Sequence, residues 1–193
     1  MRESSGGHAG VYDAFDTLRL PRRPFLDEAE IRAAFQRRAA EVHPDVAGGG
    51  EADFAALTRA YETLRKPALR LRHLLDLVGV ESTSSAIPAE LVELFPRIAQ
   101  ALQRIDAFLS RRNLAEGSVA RALFSRELGE VRLEAAKVGM MLAPEHARAV
   151  ADLESADAAW PDVSALAALL RRFVFLGKWQ SQIQEAMLRL EIE

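Results

Sequence analysis

A chain of 193 residues, 49% of them apolar, can bury one core or two small ones, and its 25 Lys plus Arg against 28 Asp plus Glu leave a formal charge of −3. That balance excludes bulk attraction to nucleic acid or to an anionic membrane, so any basic surface has to be local. With no cysteine the chain carries neither a disulfide framework nor thiolate metal ligands, and no stretch approaches the ~18 continuous apolar residues of a membrane span.

Residues 1–10, MRESSGGHAG, lack the apolar core of a signal segment and read as the disordered N-terminus of a cytoplasmic protein. Strand signals are nearly absent, while apolar residues recur every three or four positions over long stretches, so the chain reads as all-α. Tyr12, Phe15 and Leu18 stand at helical spacing before Pro21 and predict a first helix within 11–20. Asp27 is placed to cap the next helix, with Glu30 three residues on as the partner in a capping box. Ile31, Ala34, Phe35, Arg38 and Val42 share one side of that helix. Arg38 is the odd member, and snorkelling would carry its guanidinium to water or to Asp13 or Asp16. A glycine run, Gly48 to Gly50, leads to a third helix with Phe54, Leu57, Tyr61 and Leu64 as its stripe, packed antiparallel to the second. Pro67 suits the first turn of a fourth helix, which carries Leu71, Leu74, Leu75 and Val78 towards a stop at Gly79.

A short segment rich in Ser and Thr, 80–88, reads as a linker. Beyond it, helical patterns over 89–112, 117–141 and 163–190 predict a three-helix bundle, and a shorter pattern over 144–157 leaves room for a fourth helix. Pro96 predicts a kink or break near Phe95.

His43, Pro44 and Asp45 stand together where the second helical pattern gives way to the glycines. One reading is a plain helix exit, because Pro44 disfavours helical geometry at His43 and cannot donate a backbone hydrogen bond. The other is a displayed recognition site. Acid–base or metal chemistry at His43 and Asp45 lacks convergent partners, since His8, His73 and His146 have neither HExxH spacing nor a cluster of acids. No phosphate loop, nucleophile elbow or paired-carboxylate signature stands out, so no cofactor or metal site is read and intrinsic catalysis has no positive support.

In combination these residues are far more specific. EIRAAFQRRAAEVHPD followed by FAALTRAYETL resembles the J-domain, the helical hairpin by which DnaJ-type proteins engage DnaK-type ATPase chaperones; Glu30, Ile31, Arg32, Ala34, Phe35, Phe54, Ala60, Tyr61, Glu62 and Leu64 carry the likeness around His43-Pro44-Asp45. LRKPALRLRHLLDLVG, 64–79, resembles the iron–sulfur co-chaperones of the HscB type, and FVFLGKW, 173–179, resembles their final helix. The resemblance implies a J-domain over 11–79, the linker 80–88 and a client-binding helical bundle over 89–193. It implies a protein that performs no bond chemistry itself. Such a protein docks on an ATP-bound DnaK/HscA-type chaperone, stimulates its ATPase and delivers to it the iron–sulfur scaffold protein (IscU-type).

Under this resemblance His43, Pro44 and Asp45, with Arg32 and Arg37, meet the chaperone, and Asp45 can accept charge-assisted bonds from a partner Arg or Lys. Leu91, Val92, Phe95 and Phe175 form the apolar half of the client surface or, equally, part of the bundle core. Several positions depart from the family pattern. Glu41 stands where a basic residue is common, Val46 where many relatives have Lys or Arg, and Arg38 where a core Leu is usual; Pro96, Ile98 and Ala99 replace the charged residues expected beside the client patch. Two alternatives stay open: a J-domain co-chaperone for a different client, and an interaction protein with a degenerate J-domain.

Overall fold

The computed structural model describes residues 12–42, 50–80, 86–112, 118–158, 160 and 162–192, and within them every regular element is helical. The order is α1 (Ala14–Leu18), α2 (Glu28–Val42), α3 (Glu51–Arg65), α4 (Pro67–Leu77), a one-turn 3-10 helix (Ala89–Leu91), α5 (Leu94–Arg112), α6 (Ser118–Ala158) and α7 (Val163–Ile192). The chain divides into two units between Glu81 and Ser82. The predicted disordered segment 1–10 and most of the linker, 81–85, lie outside the described residues.

In the first unit α1 is shorter than the 11–20 pattern because both its ends are capped. The Asp13 carboxylate accepts from the Phe15 N–H at 2.8 Å and the Asp16 N–H at 3.4 Å. At the other end Arg19 adopts the left-handed conformation (φ 54°), and the N–H groups of Arg19 and Leu20 return to the carbonyls of Asp16 and Phe15 at 3.1 and 2.9 Å before Pro21. Asp27 caps α2 as the sequence predicts, accepting from Ala29 N–H at 2.8 Å and Glu30 N–H at 3.3 Å. Ile31 and Ala34 of α2 and Leu57, Ala60 and Leu64 of α3 are buried, and the Phe35 ring meets those of Phe54 and Tyr61 at 6.4 and 4.7 Å. Arg32, one turn before Phe35, reaches the hydroxyl of Tyr61, two turns beyond Phe54, so the two helices run antiparallel. Pro67 opens α4, and Gly79, at φ 72°, ends it in a left-handed turn in which the Val80 N–H reaches the Leu75 carbonyl at 2.9 Å. Val78, expected in the α4 stripe, is 46% exposed, because α4 ends at Leu77 and the helical phase is lost beyond it.

The second unit is a three-helix bundle. Pro96 produces the predicted break: the helical path divides into the 3-10 turn and α5, in which Pro96 is the third residue and its missing N–H would have no helical partner anyway. Ile105, Phe108 and Leu109 of α5 pack with Val131 and Ala135 of α6 and Ala186 and Leu190 of α7, and Ile98 and Ala101 of α5 are buried as well. Arg104 pairs with Glu134 and Arg111 with Glu127, so α5 runs antiparallel to α6. Arg132 Nη2 donates to the Leu190 carbonyl at 2.9 Å, while His146 lies edge-on to Phe173 at 5.6 Å, so α7 runs antiparallel to α6 as well.

The pattern at 144–157 is not a separate fourth helix. It continues α6 through Pro144. Pro144 deprives the Met140 carbonyl of its donor, but Met140 is 66% exposed and water can take that place, so the helix tolerates the interruption. At 41 residues α6 is about 60 Å long and outruns the 19 residues of α5, continuing beside α7.

Candidate functional site

The α2–α3 hairpin presents the sequence-predicted docking residues. His43, Pro44 and Asp45 lie outside the described residues, as does Val46, but α2 is described up to Val42, immediately before them. Arg32 and Arg37 are both exposed. Arg32 Nη2 donates to Glu28 at 3.0 Å, one turn back, and its guanidinium is held more firmly protonated than usual, first by the Tyr61 hydroxyl and then by Glu28. Arg37 pairs with no acid among the described residues, which leaves its charge available to a partner.

What holds the hairpin in place was only partly visible in the sequence. Arg38 does not reach Asp13 or Asp16, which are taken by Arg22 at 2.6 and 3.0 Å. Its Nε donates instead to the Thr17 carbonyl at 3.3 Å and its Nη1 to Glu41, and Glu41 also accepts from Arg19 at 3.1 Å. Two residues of α4 were missed by the sequence reading. His73 accepts the Ala14 N–H through Nε2 at 3.0 Å and stacks on Phe15 with ring centres 5.9 Å apart. Arg70, 3% exposed, donates through Nε to the Pro24 carbonyl at 2.7 Å and through Nη1 to the Leu64 carbonyl at 2.5 Å, tying the loop before α2 to the end of α3. The signal for Arg70 was present: it stands one turn before Leu74, a cation on an apolar face, as Arg38 does.

In the second unit the four predicted client residues separate. Val92 and Phe95 are 51% and 49% exposed, Phe175 is half-buried with its ring 5.6 Å from that of Trp179, and Leu91 is fully buried. Leu91 therefore belongs to the interior of the unit, and Val92 and Phe95 supply the exposed apolar surface. Ile98 is also buried, so its apolar character serves the core of α5, whereas Pro96 is exposed and Ala99 half-buried. Neither unit shows, among the described residues, a group of His, Asp or Glu able to hold a metal ion. No described helix is long and apolar enough to cross a membrane.

An N-terminal helix clamped onto an antiparallel hairpin, with the sequence His43-Pro44-Asp45 between its two long helices, is the pattern of a J-domain protein, and residues 13–73 match the DnaJ domain family. The likeness extends past that domain. The co-chaperone protein HscB homolog of Chromobacterium violaceum is 36% identical over 117 residues, covering 52% of this chain and 67% of the relative. That of Burkholderia mallei is 31% identical over 140 residues, covering 66% and 76%. The fold is similar to the chaperone HscB from Vibrio cholerae, with a TM-score of 0.55 at 21% identity over 92% of this chain and 99% of that one. The chain belongs to the HscB family of J-type co-chaperones. Its relatives are thus named as co-chaperones.

Proposed function

We propose that this co-chaperone docks on a DnaK/HscA-type chaperone through His43, Pro44 and Asp45 together with Arg32 and Arg37, stimulates its ATPase, and delivers to it an iron–sulfur scaffold protein of the IscU type held on the bundle. The observation that carries this reading is the reach of the family likeness: at 140 residues it is longer than the first unit and continues into the bundle, as a general J-domain likeness would not. The exposed Arg37, paired with no acid among the described residues, and the exposed Arg32 support the docking side, since local positive charge steers encounter with an acidic partner even on a chain of net charge −3. Val92 and Phe95 support the client side. A half-exposed Phe leaves on the order of 100 Å² to bury, about 2 kcal/mol of gross stabilisation in a complex before the costs of association.

The mechanism asks no covalent step of this chain. Docking biases the chaperone towards a hydrolysis-competent arrangement, and the client held on the same polypeptide is present when hydrolysis closes the chaperone on it. Residence in the cytoplasm, where both partners would be met, belongs to this proposal. Calorimetric titration tests it: the chain should bind scaffold and ATP-loaded chaperone independently, with His43→Gln removing the second binding and sparing the first. Failure to bind any iron–sulfur scaffold, with chaperone binding intact, would favour a different client. The exposed Pro96 and half-buried Ala99, where charges are expected, and the long α6 motivate that second reading.

A further inference from the structure

Three charged side chains meet where α2 ends. Glu41 accepts from Arg19 Nη1 at 3.1 Å through Oε1 and from Arg38 Nη1 through Oε2, while Arg38 Nε donates to the Thr17 carbonyl at 3.3 Å. Thr17 lies in the last turn of α1, at the negative end of the helix dipole; the neighbouring Phe15 and Asp16 carbonyls are taken by the N–H groups of Leu20 and Arg19. Arg19 is the residue that closes α1 in the left-handed region, and among the described residues no other non-glycine residue has positive φ. Its guanidinium is directed across to α2. One carboxylate, on the last turn of α2, is thereby gripped from both sides by groups fastened to the C-terminus of α1.

We propose that Arg19, Arg38 and Glu41 form an ionic latch that positions the last turn of α2, the turn from which His43-Pro44-Asp45 follow in sequence. The latch sets how completely docking is converted into stimulation of the partner's ATPase, and so rests on the docking reading above. It also gives two sequence departures one physical explanation. The acid at 41 and the cation at 38, each foreign to the family pattern at its own position, are partners of one another. None of the three is a catalytic residue; they act through the end of α2 that they hold. Because Glu41 and Arg19 are exposed, salt should weaken the latch.

Amide hydrogen exchange on the full chain tests the latch without any chaperone, comparing wild type, Glu41→Gln, Arg38→Gln and the double variant. Exchange at Ala39 to Val42 should accelerate roughly threefold to tenfold in each single variant, the range open to partly screened surface pairs, with Ile31 to Phe35 unchanged. The double variant, which also loses the tie each single keeps, should exchange faster than either but by less than the product of the two effects, because both remove the Arg38–Glu41 pair, and high salt should bring wild type towards the singles. Unchanged exchange in the last turn would overturn the latch, whatever the chaperone does. With a DnaK-type chaperone, Glu41→Gln should lower maximal stimulation about threefold while the half-saturating concentration moves less than twofold, and Arg38→Lys should retain more than Arg38→Gln. A lower half-saturating concentration with full stimulation would overturn the positioning role, leaving Glu41 as a mere repulsive charge. Absence of stimulation by wild type would instead contradict the docking reading, and exchange alone would then decide the latch.

Discussion

Replacing Arg70 by Met keeps most of the buried volume and removes, among its contacts, the hydrogen bonds to the Pro24 and Leu64 carbonyls at 2.7 and 2.5 Å. Bonds from a charged donor contribute about 1.5–3 kcal/mol each, and both acceptors would be left without that donor. Against this stands relief from burying a guanidinium, which costs several kcal/mol before pairing. The net expectation is a loss of about 2–4 kcal/mol, or roughly 10–20 °C in midpoint for a unit of this size. Arg70→Lys, which keeps the charge but not the planar fork, should fall between. Thermal and urea unfolding can be followed in the near-ultraviolet circular dichroism of Tyr12 and Tyr61, the two tyrosines of the chain, both in the first unit, while Trp160 and Trp179 both lie in the second. A loss below 1 kcal/mol in Arg70→Met would refute the argument that this side chain ties the α2 entry loop to the end of α3.

His73→Phe preserves the stack on Phe15 but strands the Ala14 N–H, and should cost about 1–2 kcal/mol in the same unfolding assay. The Asp162 carboxyl at the start of α7 is held below the usual carboxylate range by the Ala165 N–H first, then by the Ser164 hydroxyl and N–H. A folded-state pKa lowered in this way gives stability that is complete at neutral pH and lost as pH falls through that lowered value, so Asp162→Asn should flatten the acid limb of the midpoint-versus-pH curve. Phe95→Ala, at a half-exposed side chain, should weaken scaffold binding about fivefold to thirtyfold by calorimetry while leaving the unfolding midpoint nearly unchanged. Leu91→Ala should do the reverse: a destabilisation of about 2–4 kcal/mol that no scaffold titration is needed to see.

The helices were legible because their signals are local. Asp27 before a periodic stretch, Pro67 at a first turn and Gly79 at an exit each act through the backbone within one turn, and each does in the structure what its position predicts. Pro144 misled, because whether a proline ends a helix depends on whether the freed carbonyl can find water, and Met140's exposure is a property of the packed bundle. Partner choice among charges was hidden for a similar reason. Asp13 and Asp16 were sensible targets for Arg38, but Arg22, closer along the chain, takes both, and Glu41 one turn away takes Arg38. Leu91 and Val92 are neighbours in sequence and equally apolar, yet the one-turn 3-10 helix buries the first and exposes the second. No periodicity over three residues can announce that.

The most direct test of the account is steady-state ATP hydrolysis by a DnaK-type chaperone from the same organism, measured with this protein or its His43→Gln variant, each with and without the iron–sulfur scaffold. The account predicts stimulation that requires His43 and rises further when scaffold is added. Equal rates with wild type and His43→Gln would contradict it, since the charged segment between α2 and α3 would then not be what the chaperone reads.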